Sequence, residues 1–281
     1  MRTLALVAKK DNLEAAALAA EIKQRYPGLE VLGDRFLAHR LDWARVEDRE
    51  LAERADLVVV LGGDGTLIHA ARLLEGRCTP ILGVNLGSLG FMTEIPVEDL
   101  FPTLDDVLAG QYREDSRMKL RCRLLREGQV VVEDEVLNDV VINKGALARI
   151  ADHEVSVEGV PIAIYKADGV ILATPTGSTA YSLSAGGPIV HPSVDCTVLS
   201  PICSHALTHR PVVVPADRTI RVVLRRDSAD TYLTLDGQTG HGLQGGDCIE
   251  VVRSPNRVTL IRNPKVSYFT ILRQKLHWGE R

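Results

Sequence analysis

The chain has 281 residues, enough for two domains, and its 45% hydrophobic and 25% charged residues are typical of a globular protein. The net charge of −4 provides no global positive field, which argues against nucleic acid or a membrane surface as a partner. We expect a cytoplasmic protein, because no apolar run is long enough for a bilayer span or a signal peptide. The five cysteines are widely spaced and lack a Cys-x-x-Cys pair, which indicates reduced thiols.

Strand and helix patterns alternate over roughly the first hundred residues. Apolar runs at 4–8, 29–32, 57–61 and 81–84 predict buried parallel strands. Asn12 is suited to cap a helix over 13–25, and the spacing predicts an apolar side formed by Leu13, Ala16, Ala17, Ala20 and Ile22. This rhythm predicts an open, Rossmann-like α/β layer, in which ligands bind beyond the carboxyl ends of the strands.

The pattern changes near residue 117 to many short strands separated by turn pairs such as Glu127-Gly128 and Asp236-Gly237. Such a series predicts a C-terminal antiparallel β-sandwich domain. We therefore place an α/β domain at 1–117 and a β-sandwich domain at 118–264. The segment 265–281 shows helical spacing from Tyr268 to Leu276 and is expected to rejoin the first domain.

The sharpest motif lies between a buried strand and a helix, where Gly62, Gly63 and Gly65 surround Asp64 and Thr66 follows. Glycines let a ligand approach the backbone, and a helix N-terminus attracts phosphate. A carboxylate beside bound phosphate is useful as a proton acceptor for an attacking hydroxyl or as a ligand of the phosphate's metal ion. The alternative is a plain turn in which Asp64 caps the helix. The sequence contains no Walker A motif, and the glycine-rich stretch 87–90, which follows a predicted strand, lacks the full spacing of a dinucleotide fingerprint.

Two segments of the second domain are polar in unexpected places. Asn138 and Asp139 interrupt an apolar strand, and both can face one ligand only at a bulge or a strand end. The run 174–188 is rich in hydroxyl residues and glycine and contains Tyr181, a composition that suits a base and a ribose. Self-capping at a hairpin end and an ordinary loop are the respective alternatives.

Together these segments resemble the NAD kinase family, and the resemblance extends in order over nearly the whole chain. It is carried by 61–67, by 83–91, by the pair Asn138-Asp139, by 168–188, and by 204–211 and 236–238. The first motif is shared with phosphofructokinases and lipid kinases, and the later motifs are those that select NAD kinase.

The resemblance implies a kinase that uses ATP and a divalent metal ion, Mg²⁺ or Mn²⁺, to phosphorylate the 2′-hydroxyl of the adenosine ribose of NAD. It implies an active site in the crevice between the domains and a homo-oligomer, a dimer or a tetramer. Asp64 matches the proton acceptor, and Gly62, Gly63, Gly65 and Thr66 are the candidate phosphate-binding residues. The positions that match NAD contacts are Asp64, Gly65, His69, Asn138, Asp139, Arg149, Lys166, Asp168, Thr179, Ala180, Tyr181, Ser182, Leu183, Ser184 and Gln238.

Two other functions fit part of the sequence. A lipid or sugar kinase would share only the first-domain motif and would leave 174–188 unexplained. A non-catalytic NAD(P) sensor would need phosphate donors where the chain has Asp64. His205 and His209 have the spacing of a metal pair on a helix, but no third ligand is nearby in the sequence and prolines flank them, so hydrogen bonding in a loop is the better interpretation.

Overall fold

The computed structural model describes residues 1–145, 151–225 and 230–278, and the chain forms two compact units. The α/β unit consists of Met1–Ser116 with Val258–Arg281, and the β unit consists of Arg117–Arg257. The sequence prediction placed the second boundary at 264/265. The structure assigns residues 258–264 to the α/β unit, because Leu260 and Ile261 pair with a strand of that unit.

The helices and strands are numbered here in chain order. The strands are β1 Thr3–Ala8, β2 Glu30–Gly33, β3 Leu57–Gly62, β4 Ile81–Asn85, β5 Ile95–Pro96, β6 Arg113–Arg126, β7 Gln129–Val136, β8 Asp139–Lys144, β9 Ala151–Val157, β10 Val160–Ala167, β11 Gly169–Ala173, β12 Cys196–Ile202, β13 Val212–Pro215, β14 Ile220–Leu224, β15 Thr231–Leu235, β16 Thr239–Leu243 and β17 Cys248–Arg262. The helices are α1 Leu13–Arg25, α2 Arg35–Leu41, α3 Asp48–Arg54, α4 Asp64–Leu73, α5 Leu100–Leu108, α6 Tyr181–Ser184 and α7 Tyr268–Leu276. Within the three described ranges, no helix is long and apolar enough to cross a lipid bilayer.

The α/β unit is built on a parallel sheet with the strand order β2-β1-β3-β4, extended by the end of β17. Strands β1, β3 and β4 are buried along their whole length, as the continuous apolar runs predict. The chain leaves β1 first toward β2 and later returns to β3 on the other side of β1. The sheet therefore has its topological switch point between the carboxyl ends of β1 and β3.

Helix α1 has the predicted bounds and the predicted cap, because the Asn12 side chain accepts a hydrogen bond from the Ala15 amide at 2.9 Å. Its predicted apolar side is correct for Ala16 and Ile22, which are buried, and wrong for Leu13 and Ala17, which are exposed. Ala15 and Ala19 are buried in their place. In an alanine-rich helix, close packing of small side chains against the sheet selects the buried side, and the sequence spacing alone carries little information about it.

The β unit contains two antiparallel sheets that share one core. One sheet has the order β13-β12-β11-β8-β15-β16, and the other runs β10-β9-β14-β17 with the hairpin β6-β7 paired to β17. Residues of both sheets enter one buried cluster, among them Leu120, Ile142 and Val222. This arrangement confirms the predicted antiparallel sandwich, and Glu127 and Gly128 form its first tight turn with positive φ values of 51° and 78°.

A buried ion pair fixes the C-terminal return in the α/β unit. Arg262, at the end of β17, lies 2.9 Å from the Glu94 carboxylate, whose side chain is only 2% exposed, and 2.8 Å from Asp115. A buried carboxylate is tolerated when a cation and hydrogen bonds compensate its desolvation. The return of the chain to this sheet therefore depends on a charge as well as on strand pairing.

We expect Arg262→Ala to lower the free energy of unfolding by about 3 kcal/mol, because it removes the cation beside buried Glu94. Urea denaturation would measure the change. Lys265→Ala is the matched control, since that side chain is 77% exposed and lies 4.0 Å from Asp99. Equal stability of the two variants would contradict a structural role for the buried pair.

Candidate active site

Asp64 is the first residue of α4 and directly follows the double glycine that ends β3. The strand is buried and extended, and Gly63 has the extended conformation of a helix N-cap. The amides of Thr66 and Leu67 bond to the Gly63 carbonyl at 3.0 and 3.1 Å, so they close the first turn of the helix. The carboxylate therefore stands at the positive end of the helix dipole.

The Asp64 carboxylate is held by four donors from a segment about thirty residues further along the chain. Its Oδ2 accepts a hydrogen bond from the Phe91 amide at 2.8 Å. Its Oδ1 accepts bonds from the Met92 amide at 3.1 Å and from the amide and hydroxyl of Thr93, both at 3.0 Å. Both oxygens are thus oriented, and Oδ2 retains capacity for a further donor. The carboxylate caps a loop rather than its own helix.

Gly90 is required because the backbone passes very close to Asp64. A Cβ atom at this position would overlap Asp64 Oδ1 and Thr93 Oγ1 and would lie 2.9 Å from Asp64 Cγ. The start of the same loop is held by buried Asn85, which accepts a bond from the Gly87 amide at 2.7 Å and donates to the Ser88 carbonyl at 2.5 Å. The Gly-rich stretch after β4 therefore lies beside Asp64.

Three residues predicted to bind phosphate or NAD line a cavity of the α/β unit. Gly65, Thr66 and His69 contribute to its wall, and its volume is about 850 Å³. It opens at the carboxyl ends of β1 and β2, where Ala8 and Asp34 also line it. Parallel α/β sheets bind ligands at this edge.

The β unit has a cavity of about 360 Å³ that gathers several predicted residues. Its lining residues are Asn138, Asp139, Val141, Asn143, Ala180, Tyr181, Thr234, Asp236 and Gly237. Asn138 lies in the gap between β7 and β8 and Asp139 begins β8, so the strand ends where the sequence required a break. The buried Oδ1 atoms of Asn138 and Asn143 have no hydrogen-bond partner. Because leaving such an acceptor unpaired costs about 1–3 kcal/mol, both atoms suit a ligand that donates N–H or O–H groups.

Asp236 directly follows β15, the strand that pairs with β8, and shapes this cavity from there. Its carboxylate accepts hydrogen bonds from the amides of Leu137, Asn138 and Asp139 at 2.9, 2.7 and 3.1 Å. Thr174 holds the same segment from the other side, with its hydroxyl 2.6 Å from the Leu137 carbonyl. The sequence patterns assign no individual role to Asp236, Asn143 or Thr93, although Asp236 belongs to a turn pair with Gly237 and to the segment 236–238 that carries the family resemblance.

Burial, together with the smaller effect of the nearby negative charge of Asp236, raises the pKa of Asp139 from its ordinary value of 3.8 to about 7. This side chain is therefore largely protonated in mildly acidic solution and carries a negative charge above neutral pH. An ionisable group near neutrality inside a cavity is a common property of functional sites.

The other predicted residues of the β unit do not line this cavity. Ser182 is fully buried and its hydroxyl lies 3.0 Å from that of Ser200, while the Thr179 hydroxyl bonds the Thr176 carbonyl at 3.2 Å. Lys144 lies 3.6 Å from Asp168. The remaining predictions are placed as follows: Leu183 and Ser184 in α6, Lys166 exposed on β10, Gln238 exposed before β16, and Arg149 outside the described residues.

Histidine and acidic residues do not assemble into a protein metal site in the part of the chain that the structure describes. No group of three or more His, Cys, Asp or Glu side chains there could hold a metal ion. His209 instead bonds the Ser204 hydroxyl through Nδ1 at 2.7 Å, and its ring packs edge-on against Tyr165.

Two protein-family models match this chain. The model of the ATP-NAD kinase N-terminal domain matches residues 4–112, and that of the ATP-NAD kinase C-terminal domain matches residues 137–263. The chain belongs to the ATP-NAD kinase family. Asp64 and its loop fall within the first matched region, and the Asn138–Asp236 cavity falls within the second.

Relatives named NAD kinase and solved structures of an NADH kinase and an NAD kinase match over 99–100% of the chain. The NAD kinases of Geotalea daltonii and Geobacter sulfurreducens are each 48% identical over 284 residues, covering 100% of both chains. The structure of yeast NADH kinase complexed with NADH superposes with a TM-score of 0.92 at 25% identity, covering 100% of this chain and 89% of that one. An NAD kinase from Archaeoglobus fulgidus in complex with ATP gives 0.79 at 27% identity, covering 99% of each.

We expect Gly90→Ala to lower the rate of NADP formation about 10²-fold, because the added methyl group displaces the Asp64 carboxylate. A spectrophotometric assay of NADP would measure the loss. Gly87→Ala is the matched control in the same loop, where the nearest atom to a new Cβ lies 3.9 Å away. Similar losses in both variants would contradict a specific effect on Asp64.

We expect Asp139→Asn to remove part of the pH dependence of stability. Since the pKa of Asp139 is raised to about 7 by folding, wild-type protein loses stability as the pH rises from about 4 through about 7. The urea midpoint of Asp139→Asn should therefore rise relative to wild type between pH 5 and pH 8. Asp217→Asn, which alters an exposed carboxylate of the same unit, is the control. A constant difference between wild type and Asp139→Asn over this range would refute the assignment.

Proposed function

We propose that this chain transfers the γ-phosphoryl group of ATP to the 2′-hydroxyl of the adenosine ribose of NAD, giving NADP and ADP. The observation that carries the proposal is the Asp64 carboxylate, oriented by four donors at the N-terminus of α4. Membership in the ATP-NAD kinase family supports both the donor and the acceptor, as do relatives named NAD kinase at 48% identity.

Asp64 acts as the proton acceptor in this proposal. The ribose oxygen attacks the γ-phosphorus, the bond between that phosphorus and the bridging oxygen of ADP breaks, and the hydroxyl proton passes to Asp64 Oδ2. Positioned proton transfer of this kind contributes about 10²–10⁴-fold to the rate. The three bonds on Oδ1 fix the carboxylate, so Oδ2 is the oxygen best suited to meet the hydroxyl.

The cavity of the β unit suits the adenosine part of NAD. Asn138 and Asn143 offer unpaired acceptors to amino or hydroxyl donors, and Tyr181, which is 43% exposed, offers a ring for stacking. The carboxyl of Asp139 adds a hydrogen-bonding group on the same wall. The family resemblance extends the contact set to Lys166, Asp168 and Gln238.

The residues present suit a divalent cation, Mg²⁺ or Mn²⁺, that arrives on the phosphates of ATP. In the described ranges no cluster of three acidic or imidazole ligands competes for it, and Mg²⁺ characteristically keeps water and phosphate oxygens as ligands. When bound, such an ion neutralises charge that develops on the β- and γ-phosphates. The positive end of α4, Lys10 and the backbone near Gly65 are the chain's own contribution to holding those phosphates.

A cytoplasmic location and self-association complete the proposal. All five cysteines are free thiols, which fits a reducing compartment. Val160, Ile162 and Ile164 are exposed on β10 at the edge of its sheet, a feature that supports a homo-oligomer, either a dimer or a tetramer.

We expect Asp64→Asn to lower kcat by about 10²–10⁴-fold in an assay of NADP formation from ATP and NAD, because the amide cannot accept the ribose proton. NADH and inorganic polyphosphate would be tested beside NAD and ATP as alternative substrates. Binding of NAD, measured by calorimetry, should stay within about twofold, since the amide carbonyl can still accept bonds from the 91–93 loop.

Asp106→Asn is the matched control, because it alters an exposed carboxylate on α5 of the same unit. Its activity should equal that of wild type. Unchanged turnover in folded Asp64→Asn would exclude the proposed role of Asp64, and failure of wild-type protein to form NADP from any of these substrates would exclude the proposed function.

A further inference from the structure

Among the fully buried side chains of the described ranges, the largest is a cation, Arg117. It lies on β6 in the β unit and is 1% exposed. Alternate residues of the strand, Met118, Leu120 and Cys122, enter the core cluster, so Arg117 faces the other side of β6. Removing a guanidinium from water is costly, and an apolar side chain of similar volume commonly stabilises a fold as well as a buried charge does. Stability alone therefore does not explain a cation at this position.

Arg117 contacts the polar segment 174–180. Its Nη1 donates a hydrogen bond to the Thr176 hydroxyl at 3.3 Å, and both side chains are buried. The ladder between β6 and β7 ends at the pair Leu120–Val136, so Arg117 lies beyond that end, beside the break between β7 and β8. The Thr176 side chain is therefore held by a strand that lies 59 residues earlier in the chain.

Thr176 begins a single 3₁₀ turn that leads directly to the cavity of about 360 Å³ in the β unit. The Ala180 amide closes the turn with a bond to the Gly177 carbonyl at 2.9 Å, and the Thr179 hydroxyl bonds the Thr176 carbonyl at 3.2 Å. Ala180 and Tyr181 then line the cavity. Because one turn joins them, a displacement of Thr176 also displaces the Tyr181 ring, which the proposed function uses for stacking.

The rest of this segment is held against the break at Asn138. The Thr174 hydroxyl donates to the Leu137 carbonyl at 2.6 Å, and the Thr174 amide donates to the Asn138 carbonyl at 2.8 Å. A Cβ atom on Gly177 would overlap backbone atoms of Asn138, so the two segments are in close contact there. Asn138 thus fixes the backbone of the segment, whereas Arg117 fixes the side chain at the start of the turn.

We propose that Arg117 is a positioning residue for NAD, whose guanidinium orients Thr176 and, through the turn 177–179, sets the Tyr181 ring in the cavity of the β unit. The inference rests on the proposed function for the identity of the ligand. Arg117 and Thr176, both within the described ranges, do not line the cavity. Loss of their contact should therefore weaken NAD binding and leave the use of ATP and the chemical step unchanged.

Calorimetric titration with NAD, in the absence of ATP, tests the contact from the Thr176 side without requiring turnover. Thr176→Val keeps the shape of the side chain and removes the hydroxyl, and we expect the Kd for NAD to rise about tenfold, the loss of one hydrogen bond to a charged group. Thr176→Ser keeps the hydroxyl and is the matched control, with a Kd within about twofold of wild type. Equal Kd values for the two variants would overturn the proposal.

A double-mutant cycle separates positioning by Arg117 from a direct contact of Thr176 with the ligand. In the Arg117→Met background, Thr176→Val should change the Kd for NAD by less than about twofold, because the contact that it removes is already absent. An effect of Thr176→Val as large as in the wild-type background would overturn the proposal. Arg117→Lys takes the place of Arg117→Met in the cycle if the latter variant does not fold.

Steady-state kinetics provide a readout that a purely structural role would not give. In folded protein, the Arg117 variant should raise KM for NAD about tenfold, while kcat and KM for ATP stay within about twofold. Arg123→Met is the matched control and should match wild type, since Arg123 lies on the same strand and its ion pair with Glu133 is exposed. A fall in kcat with unchanged KM for NAD would also reject the positioning role.

The two proposals fail in different ways. Protein that binds NAD with the expected coupling between Arg117 and Thr176, but forms no NADP, would retain the positioning role and lose the kinase function. Protein that forms NADP with a KM for NAD that the Arg117 variant leaves unchanged would retain the function and lose the positioning role.

Discussion

The candidate site of the α/β unit depends on the contact between one carboxylate and three consecutive backbone amides. Asp64 accepts the amides of Phe91, Met92 and Thr93, and it thereby fixes the loop after β4 against the start of α4. Strand register makes this possible, because Gly62 pairs with Asn85 and the two following segments leave the sheet side by side. The same bonds orient the carboxylate, so loop structure and candidate catalysis share one set of contacts.

The β unit uses the same device independently. Asp236 accepts the amides of Leu137, Asn138 and Asp139, where the chain passes from β7 to β8 without a regular ladder partner. In both units an aspartate carboxylate accepts hydrogen bonds from three consecutive backbone amides that no neighbouring strand pairs with. Without the carboxylate these amides would be buried with no hydrogen-bond partner. These bonds fix the geometry of the polar wall of each candidate site. Less conformational entropy is therefore lost when a ligand binds. Asp236 also places a negative charge beside Asp139 and contributes to its raised pKa.

Local sequence patterns predict where the segments around Asp64 and Asn138 lie, but they do not predict which residues bind these segments. The sequence predicts the Gly-Gly-Asp motif at a strand-to-helix junction, where the structure has it, and predicts a break at Asn138 because adjacent strand residues face opposite sides. The partners were missed, since Asp236 lies 97 to 99 residues from the amides it binds. The buried side of α1 is predicted correctly for Ala16 and Ile22 but not for Ala15 and Ala19, because alanines on several sides leave the choice to packing. For His205 and His209 the flanking prolines and the lack of a third ligand favour hydrogen bonding over a metal pair, and His209 does contact the Ser204 hydroxyl and Tyr165.

The sequence by itself determined the class of each layer, because apolar runs and turn pairs encode local structure with periods of a few residues. It also determined the family, since its motifs occur in order along the chain and the family models match them. Only the tertiary structure decided which segments meet: Asp64 with the 91–93 loop, Asp236 with 137–139, and α2 with the end of β1 and the start of α4 around one cavity. These contacts depend on strand order and register between distant segments, and no local pattern in the chain specifies them.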